Sequence, residues 1–189
     1  MANPHSTDLY AVGKGVLQIA LFSAGAPGTY QDVGNCPKLE MEPKIERLAH
    51  YSSRTGFRTK DKNPIIQTEY ACAFDLDELA ASNMAKFMMG TLTEGMQVLG
   101  LQATDQEYAL RFTSDNPLGP DQVWDFWRMT LSPAGPIQLI GEEWMVMSFA
   151  GEGLADVTNH PTSPYFTVDY EAGYTEGSAS ESSVSSESV

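Results

Sequence analysis

Two segments, LEMEPKIERL (39–48) and IIQTEYACAF (65–74), alternate apolar and polar residues with a period of two over almost their whole length. Successive side chains leave an extended strand on opposite sides, so this period describes a strand with one face in a core and the other in water. In the first segment Leu39, Met41, Pro43 and Ile45 share a face, and Glu40, Glu42, Lys44 and Glu46 share the other. In the second, Ile66, Thr68, Tyr70, Cys72 and Phe74 oppose Gln67, Glu69, Ala71 and Ala73. Pro43 has no amide hydrogen to donate, which places its strand at a sheet edge or a bulge. Together the two runs predict a long antiparallel hairpin with a greasy and a wet face. The intervening AHYSSRTGFRTKDKNP (49–64) is polar, basic and aperiodic, and is expected to be a long loop of the kind that usually carries function.

The rest of the chain is also mostly β in pattern. VGKGVLQIALF (12–22) reads as a strand with Leu17, Ile19 and Leu21 on one face, and QEYALRF (106–112) as another with Tyr108, Leu110 and Phe112 aligned. VWDFWRMTL (123–131) and PIQLIGEEWMVMSFA (136–150) read as two aromatic-rich strands, the second broken by a β-bulge at Ile140–Glu143. YFTVDY (165–170) reads as the last strand. One helix is predicted over 76–89, with Asp75 as N-cap, Glu78 completing a capping box and Gly90 as the stop. Its stripe of Leu76, Ala80, Met84 and Phe87 or Met88 would cover an open end or face of a barrel. Residues 1–175 form one domain, opening with an arm at 1–11. The serine-rich acidic stretch 176–189 has too few apolar groups to offset ordering entropy and is expected to be disordered.

Nothing in the chain nominates a reaction. Phosphate-cradling and nucleophile-elbow motifs are missing, and Gly13-Lys14-Gly15 is too short to replace them. Asp75 and Asp77 are explained by helix capping, while Glu142 and Glu143 would point to opposite faces of a regular strand. The expectation is therefore no enzyme, no catalytic residue and no cofactor. Cys36 and Cys72 lack dithiol spacing and are read as free thiols, and His5, His50 and His160 are scattered, so no metal site is expected. The first ten residues lack the basic and apolar stretches of a secretory signal, and no apolar run reaches about 18 residues, so a soluble protein made in the cytoplasm is expected, with no membrane insertion.

Formal net charge is −14, which repels a nucleic acid backbone. Seven of the eleven basic residues nonetheless fall between Lys38 and Lys62, concentrated around the predicted loop. Several strands with one apolar and one charged face, longer than average, leave more edge than a small single domain easily protects. Pairing between identical subunits would remove those edges by closing the sheet into a ring.

At this point the sequence resembles the tail tube (major tail) proteins of phages with long non-contractile tails. The likeness rests on the Val12-Gly13-Lys14-Gly15 strand opening, the Val33-Gly34-Asn35-Cys36-Pro37 turn leading into 39–48, and His50-Tyr51-Ser52-Ser53 followed by a basic loop. The strand 65–74 and LDELAASNMAKFMMG complete it, so it covers residues 10–90, the remainder matching only in order of strands. The inner-tube proteins of contractile tails and of type VI secretion share the fold.

The resemblance implies a mainly-β protein, a β-sandwich or barrel with one flanking α-helix. Its long hairpins would build a shared inner β-barrel in a hexameric ring, and the rings would stack into a hollow conduit for DNA in the virion tail. Residues 39–48 with 65–74 would be one inner hairpin, and 123–131 with 137–149 the other pair. Glu40, Glu42, Lys44, Glu46, Gln67 and Glu69 would line the lumen. Arg54, Arg58, Lys60 and Lys62, in the loop 49–64, would contact the next ring. Implied partners are further copies of the chain, the tape-measure, tail-tip and terminator proteins, and double-stranded DNA in transient passage. A tail terminator or tube-tip protein, or a small-ligand-binding β-barrel, would show much of the same pattern.

Overall fold

The computed structural model describes residues 10–54 and 56–171. The expected arm therefore lies outside the described residues apart from Tyr10 and Ala11, and the acidic stretch 176–189 lies wholly outside them.

In chain order the elements begin with β1 (Gly15–Ser23), the short β2 (Ala26–Pro27) and β3 (Gln31–Asp32), then β4 (Lys38–Arg47), β5 (His50–Ser52), β6 (Thr59–Lys62) and β7 (Ile65–Leu76). The helix α1 (Ala81–Phe87) follows, with β8 (Thr91–Leu92), β9 (Val98–Leu99), β10 (Glu107–Ser114), β11 (Gln122–Pro133), β12 (Met147–Gly153) and β13 (Phe166–Tyr170). The main sheet runs β2-β1-β10-β11-β12-β7-β4, with β3 added beside β1 and β13 beside β11. One edge of β11 serves two partners: Gln122 to Phe126 pair with β13, and Met129 to Pro133 pair with β12.

The sheet curls far enough to bring Leu39 and Met41 of β4 over Phe112, Trp124 and Phe126, yet it does not close. The described residues thus form the mainly-β fold with one flanking helix that was expected, its sheet curled into an open half-barrel. Its concave side holds one core. Leu17 and Ile19 meet Phe112 and Leu110 across the β1–β10 register, and Tyr70, Phe74, Phe126, Met129, Met147 and Phe149 complete the interior. Phe74 and Phe149 stack with ring centroids 4.8 Å apart, and Phe87 of α1 meets Phe149 edge-on at 5.5 Å, so the helix closes one side of the core. Gly153 lies against the Tyr70 ring so closely that any Cβ there would collide with it.

The helix is shorter than 76–89. Asp75 and Leu76 stay in β7, because Leu76 is fully buried opposite Met147 and a helical turn would lift it out. The capping box does not form, and Ala80 is the N-cap without a side-chain hydrogen bond. Asp77 and Glu78 instead hold the 33–37 turn: the Asn35 amide side chain donates to Asp77 at 2.7 Å, and the Asn35 backbone N–H donates to Glu78 at 3.0 Å. Gly34 sits at φ +81°, a left-handed conformation that favours glycine, with the Glu78 carboxylate packed where a Cβ would stand. Asn83, buried in α1, donates to the Val33 carbonyl at 2.8 Å. The C-terminal stop is a Schellman motif: Gly90 N–H donates to Ala85 O and Met89 N–H to Lys86 O, with Met89 left-handed at φ +46°.

Two further expectations change. Residues 136–146 are not strand, because β7 ends at Leu76, opposite Met147, and no neighbour remains to hydrogen-bond the preceding residues. The strand instead extends onward to Gly153. The segment 49–64 is not wholly loop: β5 and β6 pair with each other, continuing the β4–β7 hairpin beyond the Leu48 N–H to Pro64 O bond.

Candidate assembly surfaces

The β4–β7 pairing is antiparallel, and its register decides what each face carries. Leu39 lies opposite Phe74 and Met41 opposite Cys72 on the concave side, as the alternation predicts. On the convex side Glu40 opposes Ala73, Glu42 opposes Ala71, Lys44 opposes Glu69, and Glu46 opposes Gln67. The six residues expected to line a lumen are thus gathered on one face. Strand β12 widens that face with Ala150 opposite Ala73 and Glu152 opposite Ala71. Small side chains at 71, 73 and 150 leave a shallow trough of about 550 Å³ rimmed by Glu40, Glu42 and Glu152. The sequence reading ends this strand at Ala150 and so leaves out Glu152; the alternation of Met147, Phe149 and Gly151 against Ser148, Ala150 and Glu152 is the signal that carries it on to Gly153.

Charges on this face are partly compensated. Lys38 and Glu40 form an exposed ion pair at 3.0 Å, and that hydrogen bond raises the lysine pKa. Gln67 donates to Glu69 at 2.9 Å, orienting that carboxylate along the strand.

The sheet's two edges differ. The β1 edge is covered: β3 pairs at Gln18 and Ile19, β2 pairs at Phe22 and Ser23, and the Gly28 and Val33 amides donate to Leu21 and Leu17 carbonyls. Among the described residues, β4 pairs with β7 on one side and with no strand on the other over its ten residues. Its outer half projects past the core. Ile45 is 55% exposed and Ile66 54%, although both lie on the face that is buried further down the hairpin.

At the hairpin's far end Arg54, Arg58, Lys60 and Lys62 are all exposed. Arg58 stacks over the Tyr51 ring at 5.3 Å, and Lys60 and Lys62 stand two residues apart on β6 and so share a face. Across the small hairpin His50 hydrogen-bonds Asp61 at 2.5 Å, which holds the Asp61 carboxyl below its ordinary pKa. Arg54 sits in the connecting turn, so the four cations occupy one tip.

Other titratable groups serve the fold. Arg111 makes a bidentate contact with the buried Asp125 at 2.6 and 3.1 Å, and Arg128 makes one with Glu107 at 2.6 and 2.7 Å. Cys72 is buried and Cys36 half-buried; both are free thiols, and burial pushes Cys72 up to about 12. Among the described residues no group of three or more His, Cys, Asp or Glu could hold a metal ion. Of the acidic pairs weighed for catalysis, Asp75 pairs within the sheet, Asp77 holds Asn35, and Glu142 and Glu143 stand on an exposed loop. An apolar groove of about 300 Å³ lies at the mouth of the half-barrel, lined by Leu39, Met41, Phe112, Trp124 and Phe126, with Gln122 spent on the Trp124 indole N–H.

A family model described as protein of unknown function UCP028589 matches residues 10–98, just under half of the chain. No curated protein matches it. Among solved structures, the cryo-EM structure of the anti-feeding prophage cap, described as a tube terminating cap, is similar with a TM-score of 0.38 and 7% identity, covering 85% of this chain and 92% of that one.

Proposed function

We propose that the chain is a structural subunit of a phage-type tail tube. Copies would join by pairing strand edges, so that the sheet of one continues into the next around a hexameric ring. The observation that carries this reading is the ten-residue edge of β4, which no strand among the described residues covers, on a hairpin whose outer half is exposed on both faces. An unprotected edge of that length invites addition of a strand, and proteins that remain monomeric blunt or cover such edges. Here only Pro43 and the charges blunt it, while the β1 edge of the same sheet is covered by its own chain.

In a ring the convex face of β4, β7 and β12 would line the lumen. Glu40, Glu42, Glu46, Glu69 and Glu152, relieved mainly by Lys44, would repel DNA phosphates and let a duplex slide without sticking. The cationic tip would extend along the axis to an acidic surface of the next ring, setting registration and salt dependence more than depth of affinity. Rings stacked this way form a conduit in the virion tail, with tape-measure, tip and terminator proteins as further partners.

Negative-stain electron microscopy of the purified chain across a concentration and salt series tests this. Hollow filaments of uniform width are the expected result. Single rings that never stack would assign a terminator or cap role. A monodisperse monomer under every condition, with or without a tail-tip complex as initiator, would overturn the reading and favour a ligand-binding half-barrel that uses the 300 Å³ groove.

A further inference from the structure

The segment between β11 and β12 carries an apolar cluster that the edge-pairing scheme leaves unused. Ile140 and Trp144 are each 93% exposed, and Leu139 is 70% exposed. Tryptophan is enriched at the desolvated centres of interfaces, where its large rigid ring buries much area at small entropic cost. This loop is shaped rather than frayed. Ile137 anchors it in the core, and the Gln138 amide folds over Gly141 to donate to the Ile140 carbonyl at 3.2 Å. A surface already held in shape loses less on binding.

A groove of about 480 Å³ runs between α1 and the strands β1 and β10. Leu21, Ala85, Leu92 and Tyr108 supply apolar walls, and Ser82 and Lys86 line the helix side. Lys86 is half-buried, its ammonium hydrogen-bonded to the Ser82 carbonyl at 3.2 Å, and burial lowers its pKa. Among the described residues no carboxylate lies within ion-pair distance of it. The exposed loop has the missing partner, because Glu142 and Glu143 directly precede Trp144.

We infer that Trp144 and Ile140 of one copy enter the α1 groove of a second copy, with Glu142 or Glu143 reaching Lys86. The volume accommodates an indole with a branched side chain beside it, and the charges match. Because loop and groove are different surfaces, each copy offers one of each, and the contact repeats head to tail into a ring or filament instead of stopping at a dimer. Register places Leu21, Tyr108 and Met129 in one row, and the loop follows β11 shortly after Met129. Both surfaces therefore lie at the same end of the sheet, as a contact between neighbours within one ring requires. The inference rests on the self-assembly reading and adds a second, strand-independent lateral contact to it.

Disulfide trapping tests it. Ser82→Cys and Glu143→Cys are combined with Cys36→Ser, leaving Glu142 for Lys86 and Cys72 buried. Mild oxidation at an assembling concentration is expected to produce a ladder of covalent multimers on non-reducing gels, and adding Trp144→Ser is expected to remove it. In the otherwise native chain, Trp144→Ser is expected to raise the assembly concentration about tenfold with no change in melting temperature, since the side chain is 93% exposed. Rings with both new thiols still free, or an intramolecular disulfide in a monomer, would overturn this contact while leaving edge pairing intact. A native chain that never assembles would overturn the underlying reading instead.

Discussion

Replacing Ile45 and Ile66 together by threonine separates the two duties of the β4–β7 hairpin. Both side chains lie on the concave-side face but beyond the core, at 55% and 54% exposure. Roughly 100 Å² of each still meets water, so at about 25 cal/mol per Å² full burial at an interface recovers about 2.5 kcal/mol each. Threonine keeps the β-branch and the strand preference but forfeits a little under half of that recovery, about 1 kcal/mol per site. The pair then weakens each subunit contact by about 2 kcal/mol, roughly 30-fold in the association constant. Within the monomer the change should stay inside about 0.5 kcal/mol, because neither residue fills the core. Sedimentation velocity across a dilution series reads the first effect, and thermal melting below the assembly concentration reads the second. An unchanged assembly concentration would refute the interface, and a melting temperature lowered by more than about 5 °C would show that the hairpin packs on its own subunit.

Arg54→Glu with Arg58→Glu is expected to leave the monomer folded and to shorten or abolish tubes in electron micrographs; tubes of normal length would remove the inter-ring role. Asp125→Ala strips the counter-charge from Arg111 and a buried acceptor from β11, and should cost about 2 kcal/mol, read as a melting temperature lower by about 4–8 °C. Met89→Gly removes a left-handed strain at the helix stop and should add about 1 kcal/mol in urea unfolding. Burial raises the pKa of Cys72 from 9.0 to about 12 and raises that of Tyr70 from 10.0. The folded state therefore holds these protons more tightly than the unfolded chain. That stability is complete below pH 9 and is lost as pH climbs toward 12 and above, so urea midpoints should fall over that range and fall less in Cys72→Ala.

Much of the fold was legible because one physical rule wrote it twice. The period-two runs at 39–48 and 65–74 sort the hairpin's side chains between its two faces, since a strand's alternation survives whatever its neighbours are, but Tyr70, Cys72 and Phe74 of the apolar face are buried while Pro43, Ile45, Ile66 and Thr68 are exposed where the hairpin passes the core. The same rule puts Leu17, Ile19, Tyr108 and Leu110 on apolar faces that the fold buries, although Leu21 on the first of those faces is 43% exposed. It failed for 136–146, where apolar residues imitate a strand but β7 has run out of residues to pair with. The helix start differs for a related reason. Asp75 and Glu78 have the spacing and chemistry of a capping box, but Asp75 stays paired in β7 and the distant turn at Asn35 takes Glu78, and nothing local announces that competition.

What the sequence by itself determined is therefore local and two-faced: which residues share a strand face, where the chain turns at Gly34 and Gly90, and the presence of a cationic cluster on an acidic chain. What only the tertiary structure decided is which strand ends up without a neighbour. Edge exposure depends on the order in which strands assemble, and that order is set by long-range pairings such as β1 with β10 and β12 with β7. Among the described residues those pairings cover β1 and leave β4 without an outer neighbour, bring Glu152 beside Glu42, and strand Trp144 in water at the same end of the sheet as the groove over α1. Alternation carries no information about any of these, because a strand looks the same from within whether it lies at the centre of a sheet or at its rim.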